Sequence, residues 1–154
     1  MKIFEIATNS GYEARVIPIN NTDFTTIKSG SEFDFNWKKL KGEVYKLVKK
    51  GNVEVLGMIS LIEHNEEGTD AIEIELLEVG RKNRGKKKKL DNIAGCLIAY
   101  ACRESIKRGH GGWVFLVPKT LLAEHYQQQY GFIPFGVCIA STDKNSLKLI
   151  KEYL

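Results

Sequence analysis

Residues 71–109, AIEIELLEVGRKNRGKKKKLDNIAGCLIAYACRESIKRG, contain the pattern that decides the fold. Residues 71–79 alternate apolar and acidic side chains, and this period of two predicts a strand. Residues 94–108 repeat apolar side chains at helical spacing and end before Gly109, which is typical of a helix C-terminus. WVFLV, residues 113–117, is apolar throughout and predicts a buried strand. We expect the two strands to be parallel neighbours, because a helix connects them.

The rest of the chain extends this unit into one mixed sheet. Further strands are predicted at residues 2–7, 13–19, 44–50, 53–64 and 133–140, and further helices at 121–130 and 145–154. Turn sequences separate the strands that begin at residues 44, 53 and 71, which predicts an antiparallel meander. Residues 20–36 are predicted to form a loop with room for one helical turn. The predicted fold class is α+β in a single domain of residues 1–154, with a mostly antiparallel twisted sheet, one parallel strand pair and flanking helices.

Composition places the chain among ordinary globular proteins. Apolar residues make up 43% and charged residues 27%, and no apolar run approaches the roughly 20 residues that span a bilayer. The N-terminus lacks the apolar stretch of a signal peptide, so we expect a cytoplasmic protein. Cys96, Cys102 and Cys138 are odd in number and form no CxxC pair. They are interpreted as small reduced core residues, and no metal is expected.

Positive charge is concentrated in one segment. Residues 81–89, RKNRGKKKK, hold seven basic side chains and no acid, whereas the whole chain carries a formal net charge of +4. Outside this segment the chain is therefore net acidic. Such localisation favours a discrete phosphate site over a broad nucleic-acid surface, which would require interleaved aromatics or further basic patches. A nucleic-acid-binding module is kept as an alternative, but nucleic acid is the less favoured partner.

The segment from Lys89 to Gly95 opens directly into the predicted helix. A helix N-terminus offers unpaired backbone N–H groups and the positive end of the helix dipole. Small residues allow a phosphate to approach that backbone, and neighbouring lysines add charge. The residues thus predict an anion site, with a solvated basic loop ending in an Asn or Asp cap as the alternative.

This segment resembles the acetyl-CoA signature of the GNAT superfamily of N-acyltransferases, Gln/Arg-x-x-Gly-x-Gly/Ala, with Lys89, Asn92 and Ala94 at the three defined positions. The resemblance covers about residues 44 to 140. It is strongest to a bacterial subgroup with a Lys-rich loop, whose elements read here as Glu78-Val79-Gly80-Arg81-Lys82-Asn83, the basic run, Asn92-Ile93-Ala94-Gly95, Lys119-Thr120 and His125-Tyr126. Asn92 replaces a glycine, so its backbone is expected to be left-handed or its side chain to point away.

The resemblance implies the GNAT fold and a direct transfer of an acyl group, in the simplest case acetyl from acetyl-CoA, to a primary amine. Backbone groups of strand 71–79 would polarise the thioester carbonyl. The residues it assigns to coenzyme A are Leu77, Val79, Lys87, Lys88, Lys89, Asn92, Ile93, Ala94, Gly95, Cys96 and Thr120. Thr120 stands where the family often has an Asn.

Acid–base groups are assigned on the same basis. Glu78 or Glu75 is the candidate base, because both lie on strand 71–79, and Glu73, His64 and His125 are alternatives. Glu73 and Glu75 share one face of a regular strand, and Glu78 lies on the other face unless a bulge intervenes. Tyr126 is the candidate acid that protonates the leaving thiolate, although it lies five residues before Gly131 where the family usually has four.

Two functional alternatives accompany this hypothesis. One is a GNAT-fold protein that binds without catalysing, and the other is the nucleic-acid module described above. The acceptor groove is expected along residues 20–40, where Phe24, Phe33, Phe35 and Trp37 form either an aromatic wall or ordinary loop anchors. The acceptor is a small-molecule or peptide amine of open identity, and a homodimer is an open alternative to the monomer.

Overall fold

The computed structural model describes residues 1–27, 32–118 and 120–154. Within them, strands β1 to β9 are Lys2–Glu5, Ser10–Pro18, Glu43–Lys49, Val55–Glu66, Thr69–Val79, Leu90–Asp91, Val114–Leu116, Ile133–Phe135 and Cys138–Ser141. Helices α1 to α4 are Asp23–Thr26, Ile93–Lys107, Thr120–Tyr130 and Asp143–Tyr153, and short 3-10 turns lie at Trp37–Lys39 and Arg81–Asn83. None of the helices in the described residues combines the length and the apolar character needed to cross a bilayer.

All these strands join one sheet in the order β6-β1-β2-β3-β4-β5-β7-β9-β8. Neighbours are antiparallel except β5 and β7, which are parallel and pair Ile72 with Val114 and Glu73 with Phe115. The predicted α+β class, the β3–β4–β5 meander and the parallel pair joined through α2 are therefore confirmed. Beyond Glu73 the described register of β5 and β7 contains no further pair, so the two strands separate there.

Two details of the sheet differ from the prediction. The single strand expected at residues 133–140 is a hairpin, because Gly136 takes a positive φ of 65° and turns the chain between β8 and β9. Residues Leu90 and Asp91 form an additional strand, β6, which pairs with Phe4 and Glu5 of β1. A two-residue strand has no periodicity of its own and is invisible to pattern analysis.

Helix α2 lies across one face of the sheet and is the centre of the main core. Its predicted apolar stripe is buried there, with Leu97, Ile98 and Cys102 each 0% exposed, except at Ile106, which is 39% exposed. Full burial of one such aliphatic side chain contributes roughly 1.5–3 kcal/mol. Helix α4 packs against α2 so closely that a Cβ added at Gly95 would overlap the Tyr153 ring. Gly95 is therefore required for helix–helix packing.

Candidate active site

A bulge in β5 determines which way its carboxylates face. Ser60 of β4 pairs with Leu76, but the adjacent Leu61 pairs with Ile74, so Glu75 is an extra residue in β5. One extra residue reverses the alternation, and Glu78 therefore lies on the same face as Glu73 instead of the opposite one. Leu77 packs with the α2 core, whereas Glu78 meets the side of the sheet that carries Trp37.

Glu78 is buried, at 4% exposure, and receives four donors. Its Oε2 accepts from the backbone N–H of Asp34 at 2.6 Å and from Arg84 Nη2 at 3.4 Å. Its Oε1 accepts from Trp37 Nε1 at 2.8 Å and from the backbone N–H of Phe35 at 3.4 Å. Each oxygen thus has one short and one long hydrogen bond. The carboxylate fixes the segment of residues 32–37, which the sequence assigned to the acceptor side, onto the end of β5.

Glu75 holds the same segment further along. Its Oε1 accepts from the backbone N–H of Lys41 at 3.0 Å, and its Oε2 accepts from Gly42 N at 2.9 Å and from Ser60 Oγ at 2.7 Å. Burial tends to raise the pKa of Glu75, but these donors outweigh it and leave the pKa below its usual value. The side chain does not border the cleft described next. The structure therefore does not bring Glu75 together with the other candidate residues.

A cleft of about 680 Å³ opens where β5 and β7 separate, a volume in the range of typical ligand sites. One wall is the end of β5, with Leu77, Glu78 and Val79. The start of α2 and the basic loop form the floor, and α3 forms the opposite wall. The predicted residues that border this cleft are Phe35, Leu77, Glu78, Val79, Lys88, Asn92, Ile93, Ala94, His125 and Tyr126.

The N-terminus of α2 is open toward this cleft. Asn92 has a left-handed backbone, with φ 72° and ψ 4°, and its side chain makes no capping hydrogen bond. The expectation that Asn92 would be left-handed in place of glycine is confirmed. The amides of Ile93, Ala94 and Gly95 have no carbonyl four residues earlier within the helix. An anion could therefore accept from this turn of backbone.

Cys96 belongs to the core and not to this opening. Its backbone N–H already donates to the Asn92 carbonyl at 2.9 Å. Its side chain is 0% exposed, and burial raises the pKa of its thiol to about 11. The assignment of Cys96 to coenzyme A is thus not supported by its position, whereas its interpretation as a reduced core residue fits. Gly95 borders α4, as described above, and of its groups only the backbone amide could contribute to a ligand site.

The basic loop divides into paired and unpaired charges. Arg81 and Arg84 both bind Asp34, with Arg84 Nη1 at 2.9 Å from Oδ2, and Lys82 binds Glu54. Hydrogen bonds from Arg84 and Arg81 hold the pKa of Asp34 below its usual value. Arg81 and Arg84 thus hold the loop against residues 32–34. Arg81, Lys82 and Arg84 are three of the seven basic side chains of the segment, and all three bind acids that lie outside it.

The C-terminal part of the loop is closer to α2. Lys88 Nζ lies 2.7 Å from Asp91 Oδ1, which lowers the pKa of Asp91, and the same oxygen accepts from Asn92 N at 2.9 Å. Lys86, Lys87 and Lys89 have no acidic partner among the residues that the structure describes. Lys87 and Lys89 do not border the cleft, so any action of theirs on a ligand within it is through charge alone.

Tyr126 reaches the cleft from α3 within a cluster of aromatic rings. Its ring centroid lies 5.8 Å from that of Tyr130 and 5.6 Å from that of Phe132. Desolvation raises the pKa of Tyr126 to about 12. The phenol therefore stays protonated near neutral pH and can donate a proton. Thr120 begins α3, but its side chain lies outside the described part of the structure, so its predicted contact stays a prediction.

Sequence reasoning did not assign the roles that several residues have at this site. Asp34, Trp37 and Arg84 connect the acceptor-side segment to the basic loop and to Glu78. Asn83, which follows the end of β5, is buried at the edge of the cleft. The sequence indicated Trp37 only as an aromatic wall or loop anchor, Arg84 only as part of the basic segment and Asn83 only through the subgroup pattern, and it carried no signal for Asp34.

The chain resembles known proteins in structure but not in sequence. No protein-family profile matches the chain, and no curated protein matches it significantly. Solved structures do match. AtaTR bound with AcCoA has a TM-score of 0.62 at 16% identity, covering 89% of this chain and 98% of that chain. Escherichia coli ElaA has a TM-score of 0.52 at 15% identity, with 83% and 96% covered.

A third match is a Bacillus subtilis acetyltransferase in complex with CoA, with a TM-score of 0.52 at 15% identity over 79% of this chain and 76% of that chain. These identities are too low to transfer an activity, but the matches agree on the arrangement of strands and helices. A central mixed sheet with one parallel strand pair and flanking helices, as in this chain, matches the GNAT fold. The chain has the fold of the GNAT acetyltransferase superfamily.

Proposed function

We propose that this protein binds an acyl-CoA thioester in the cleft between β5, α2 and α3 and transfers its acyl group to a primary amine. The observation that carries the proposal is the convergence of three features on one cleft: the open N-terminus of α2, the unpaired edge of β5 and the protonated Tyr126 hydroxyl. The matched AtaTR structure contains AcCoA and the matched B. subtilis acetyltransferase contains CoA, which supports the same co-substrate here.

The pyrophosphate of CoA would accept hydrogen bonds from the amides of Ile93, Ala94 and Gly95. A helix N-terminus stabilises negative charge through its unpaired N–H groups and its dipole. The left-handed Asn92 starts the helix without covering these amides. The pantetheine arm would then run along Leu77–Val79, where β5 has lost its parallel neighbour.

The chemistry needs few groups. The neutral amine attacks the thioester carbonyl, whose oxygen is stabilised by a backbone N–H of β5 as negative charge develops. The tetrahedral intermediate collapses, the C–S bond breaks, and the thiolate of CoA takes a proton from Tyr126, which regains a proton from solvent. The ammonium nitrogen loses its proton to a base or to water, and the products are an amide and CoA.

Of the two candidate carboxylates, we propose Glu78 as the base because Glu78 borders the cleft and Glu75 does not. Its two long hydrogen bonds, to Phe35 N and Arg84 Nη2 at 3.4 Å, are the contacts that a water molecule could replace. Through that water, Glu78 would accept the amine proton.

A second candidate function is binding of CoA without turnover. The specific observation in its favour is that four donors already use the acceptor capacity of the Glu78 carboxylate, about four lone pairs. In that case Glu78 fixes the segment of residues 32–37 and takes no proton.

One set of measurements separates the candidates. Calorimetry measures CoA affinity, and a thiol assay follows CoA release from acetyl-CoA with a panel of polyamines, aminoglycosides, amino acids and peptides with free N-termini. Binding with amine-dependent release supports the transferase, binding without release supports the binder, and no binding removes both. In an active protein, Glu78→Gln should lower kcat by about 10²-fold. Trp37→Phe, which removes one donor to the same carboxylate, should retain most of the activity.

A further inference from the structure

Asn83 has an orientation that a single hydrogen bond fixes. It ends the 3-10 turn Arg81–Asn83 and is 5% exposed. Its Oδ1 accepts from the backbone N–H of Leu90 at 3.0 Å. Rotating the amide by half a turn would set two donors against each other, so the oxygen must face Leu90 and Nδ2 must face the other way.

The Nδ2 atom of Asn83 is buried, and among the described residues it has no hydrogen-bond partner. Buried side-chain donors are nearly always paired, so an orphan of this kind calls for an explanation. Asn83 borders the same cleft as the N-terminus of α2. The missing acceptor is therefore one that the cleft would receive from a ligand.

Arg84, the next residue, repeats the pattern. Two of its guanidinium nitrogens are engaged, Nη1 with Asp34 at 2.9 Å and Nη2 with the Glu32 carbonyl at 3.0 Å. Its Nε is buried and without a partner among the described residues, and Arg84 also borders the cleft. Two consecutive residues thus leave an N–H group unused beside one cavity.

We infer that Asn83 is a ligand-binding residue whose Nδ2 donates a hydrogen bond to a pyrophosphate oxygen of CoA, with Arg84 Nε as an adjacent donor. This inference rests on the proposed function. Both donors suit a phosphate oxygen, because an anion accepts from several N–H groups at once.

The position of Leu90 favours the pyrophosphate over the pantetheine arm. Leu90, which holds Asn83, is followed in β6 by Asp91 and then by Asn92 at the start of α2. Two residues of extended chain span roughly 6.6 Å. The backbone group that holds Asn83 therefore lies about the span of a pyrophosphate from the helix N-terminus.

The test is the affinity of two purified variants for CoA and for pantetheine, which lacks the phosphates. Asn83→Asp keeps an oxygen for Leu90 N–H and places a negative oxygen where Nδ2 was. We expect its CoA affinity to fall by more than about tenfold, as repulsion between like charges requires, while its pantetheine affinity changes less than about twofold. Asn83→Ser, which has a smaller donor, should lie between wild type and Asn83→Asp for CoA.

A second measurement does not depend on how well a variant folds. In ¹⁵N-labelled wild-type protein, the Asn83 side-chain amide protons should shift on addition of CoA and stay in place on addition of pantetheine. If wild type binds CoA but Asn83→Asp binds it equally, or if the amide signals do not move, the inference is wrong while the proposed function stands. Equal weakening for CoA and pantetheine would move the contact off the pyrophosphate and overturn the assignment. If wild type binds no CoA, both the function and the inference fail.

Discussion

The two ends of helix α2 differ in how their polar groups are satisfied. At the N-terminal end the helix has no side-chain cap, and Asn83 Nδ2 and Arg84 Nε lack partners among the described residues. At the C-terminal end, Arg108 binds Glu43 at 2.9 Å, Glu63 at 3.2 Å and Glu104 at 3.4 Å. The same helix therefore has one open end and one closed end.

His110 completes the closed end. Its ring is buried, with Nε2 2.8 Å from Glu63 Oε1 and Nδ1 bound to Asp70. A positive side chain beyond a helix C-terminus also interacts favourably with the helix dipole. The hydrogen bonds of Arg108 and His110 at this end are made within the chain, as expected for stability, although Arg103 Nε, earlier in α2, also lacks a partner among the described residues. Unsatisfied donors beside a cavity, as at the other end, are expected where a ligand supplies the partner.

The largest effect is predicted for a charge placed at the open end. Ala94→Asp would set a carboxylate beside the bound pyrophosphate and should reduce CoA affinity by about 10²–10³-fold, since like charges a few ångströms apart near a protein surface repel by several kcal/mol. Calorimetry measures the affinity, and circular dichroism checks that the helix is intact. Ala94→Gly keeps a small residue and should bind CoA normally. An unchanged affinity in Ala94→Asp would remove the pyrophosphate site from this helix end.

The next effect concerns chemistry and not binding. Tyr126→Phe should lower kcat by about 10²-fold while CoA affinity stays the same, because a general acid acts only in the transition state. Since the pKa of Tyr126 is raised to about 12, its ionisation should not limit the rate below about pH 10. Tyr100→Phe removes a hydroxyl that lies away from the cleft, from a tyrosine that is 7% exposed, and serves as the control. Full activity in Tyr126→Phe would show that water, and not Tyr126, protonates the leaving thiolate.

Much of the open end could be predicted from local sequence. The alternation in residues 71–79, the helical stripe after Gly95 and the polar residues between them specify a strand, a helix and its N-terminus without knowledge of distant partners. Asn92 was expected either to have a left-handed backbone or to point its side chain away, and it has the left-handed backbone, which Asn tolerates well.

The rest depends on contacts between distant residues. Glu78 and Trp37 are 41 positions apart, and nothing in either neighbourhood indicates that they bond. The bulge at Glu75 arises from the pairing of β4 with β5 and reverses the facing of every later residue of β5. Pattern analysis therefore placed Glu73, Glu75 and Glu78 on one strand but could not determine which of them borders the cleft.

A smaller effect is predicted at the closed end, on stability. Burial alone would lower the pKa of His110, but its hydrogen bonds with Glu63 and Asp70 outweigh burial and raise the pKa. A raised pKa means that the protonated ring stabilises the fold fully below its unfolded pKa of about 6.5, and that this stabilisation is lost as pH rises through the folded value. Wild type should thus lose stability as the pH rises from about 6.5 through the raised pKa of His110.

His110→Gln tests this assignment. It should lower the free energy of unfolding by about 2 kcal/mol at about pH 6, in line with hydrogen bonds to charged groups, and by less at higher pH. Urea unfolding across that pH range measures both proteins. Parallel loss of stability in the two proteins would show that another group is responsible.

The smallest effect is expected from the lysines of the loop that precedes the open end of α2. Substituting Lys86, Lys87 and Lys88 with Gln should lower the affinity for CoA by about 3- to 10-fold at physiological salt. The effect is modest because salt screens the field of exposed charges. We expect the 3′-phosphate of CoA to be their target, since Lys86 and Lys87 have no acidic partner in the described part of the chain and stand outside the cleft. The affinity for dephospho-CoA, which lacks that phosphate, should therefore fall less.

Lys82→Gln is the matched control for the lysine run, because it removes one charge from the same loop but one that already binds Glu54. It should leave the ratio of the two affinities unchanged. The effect of the triple variant should also shrink as salt is raised to about 0.5 M, where the Debye length falls to a few ångströms. An equal loss of affinity for CoA and dephospho-CoA would show that the lysines attract the ligand only through their general charge and do not bind the 3′-phosphate. No weakening of either would make them a solvated surface, and recognition of the nucleotide would then rest on the open helix end and its neighbouring donors alone.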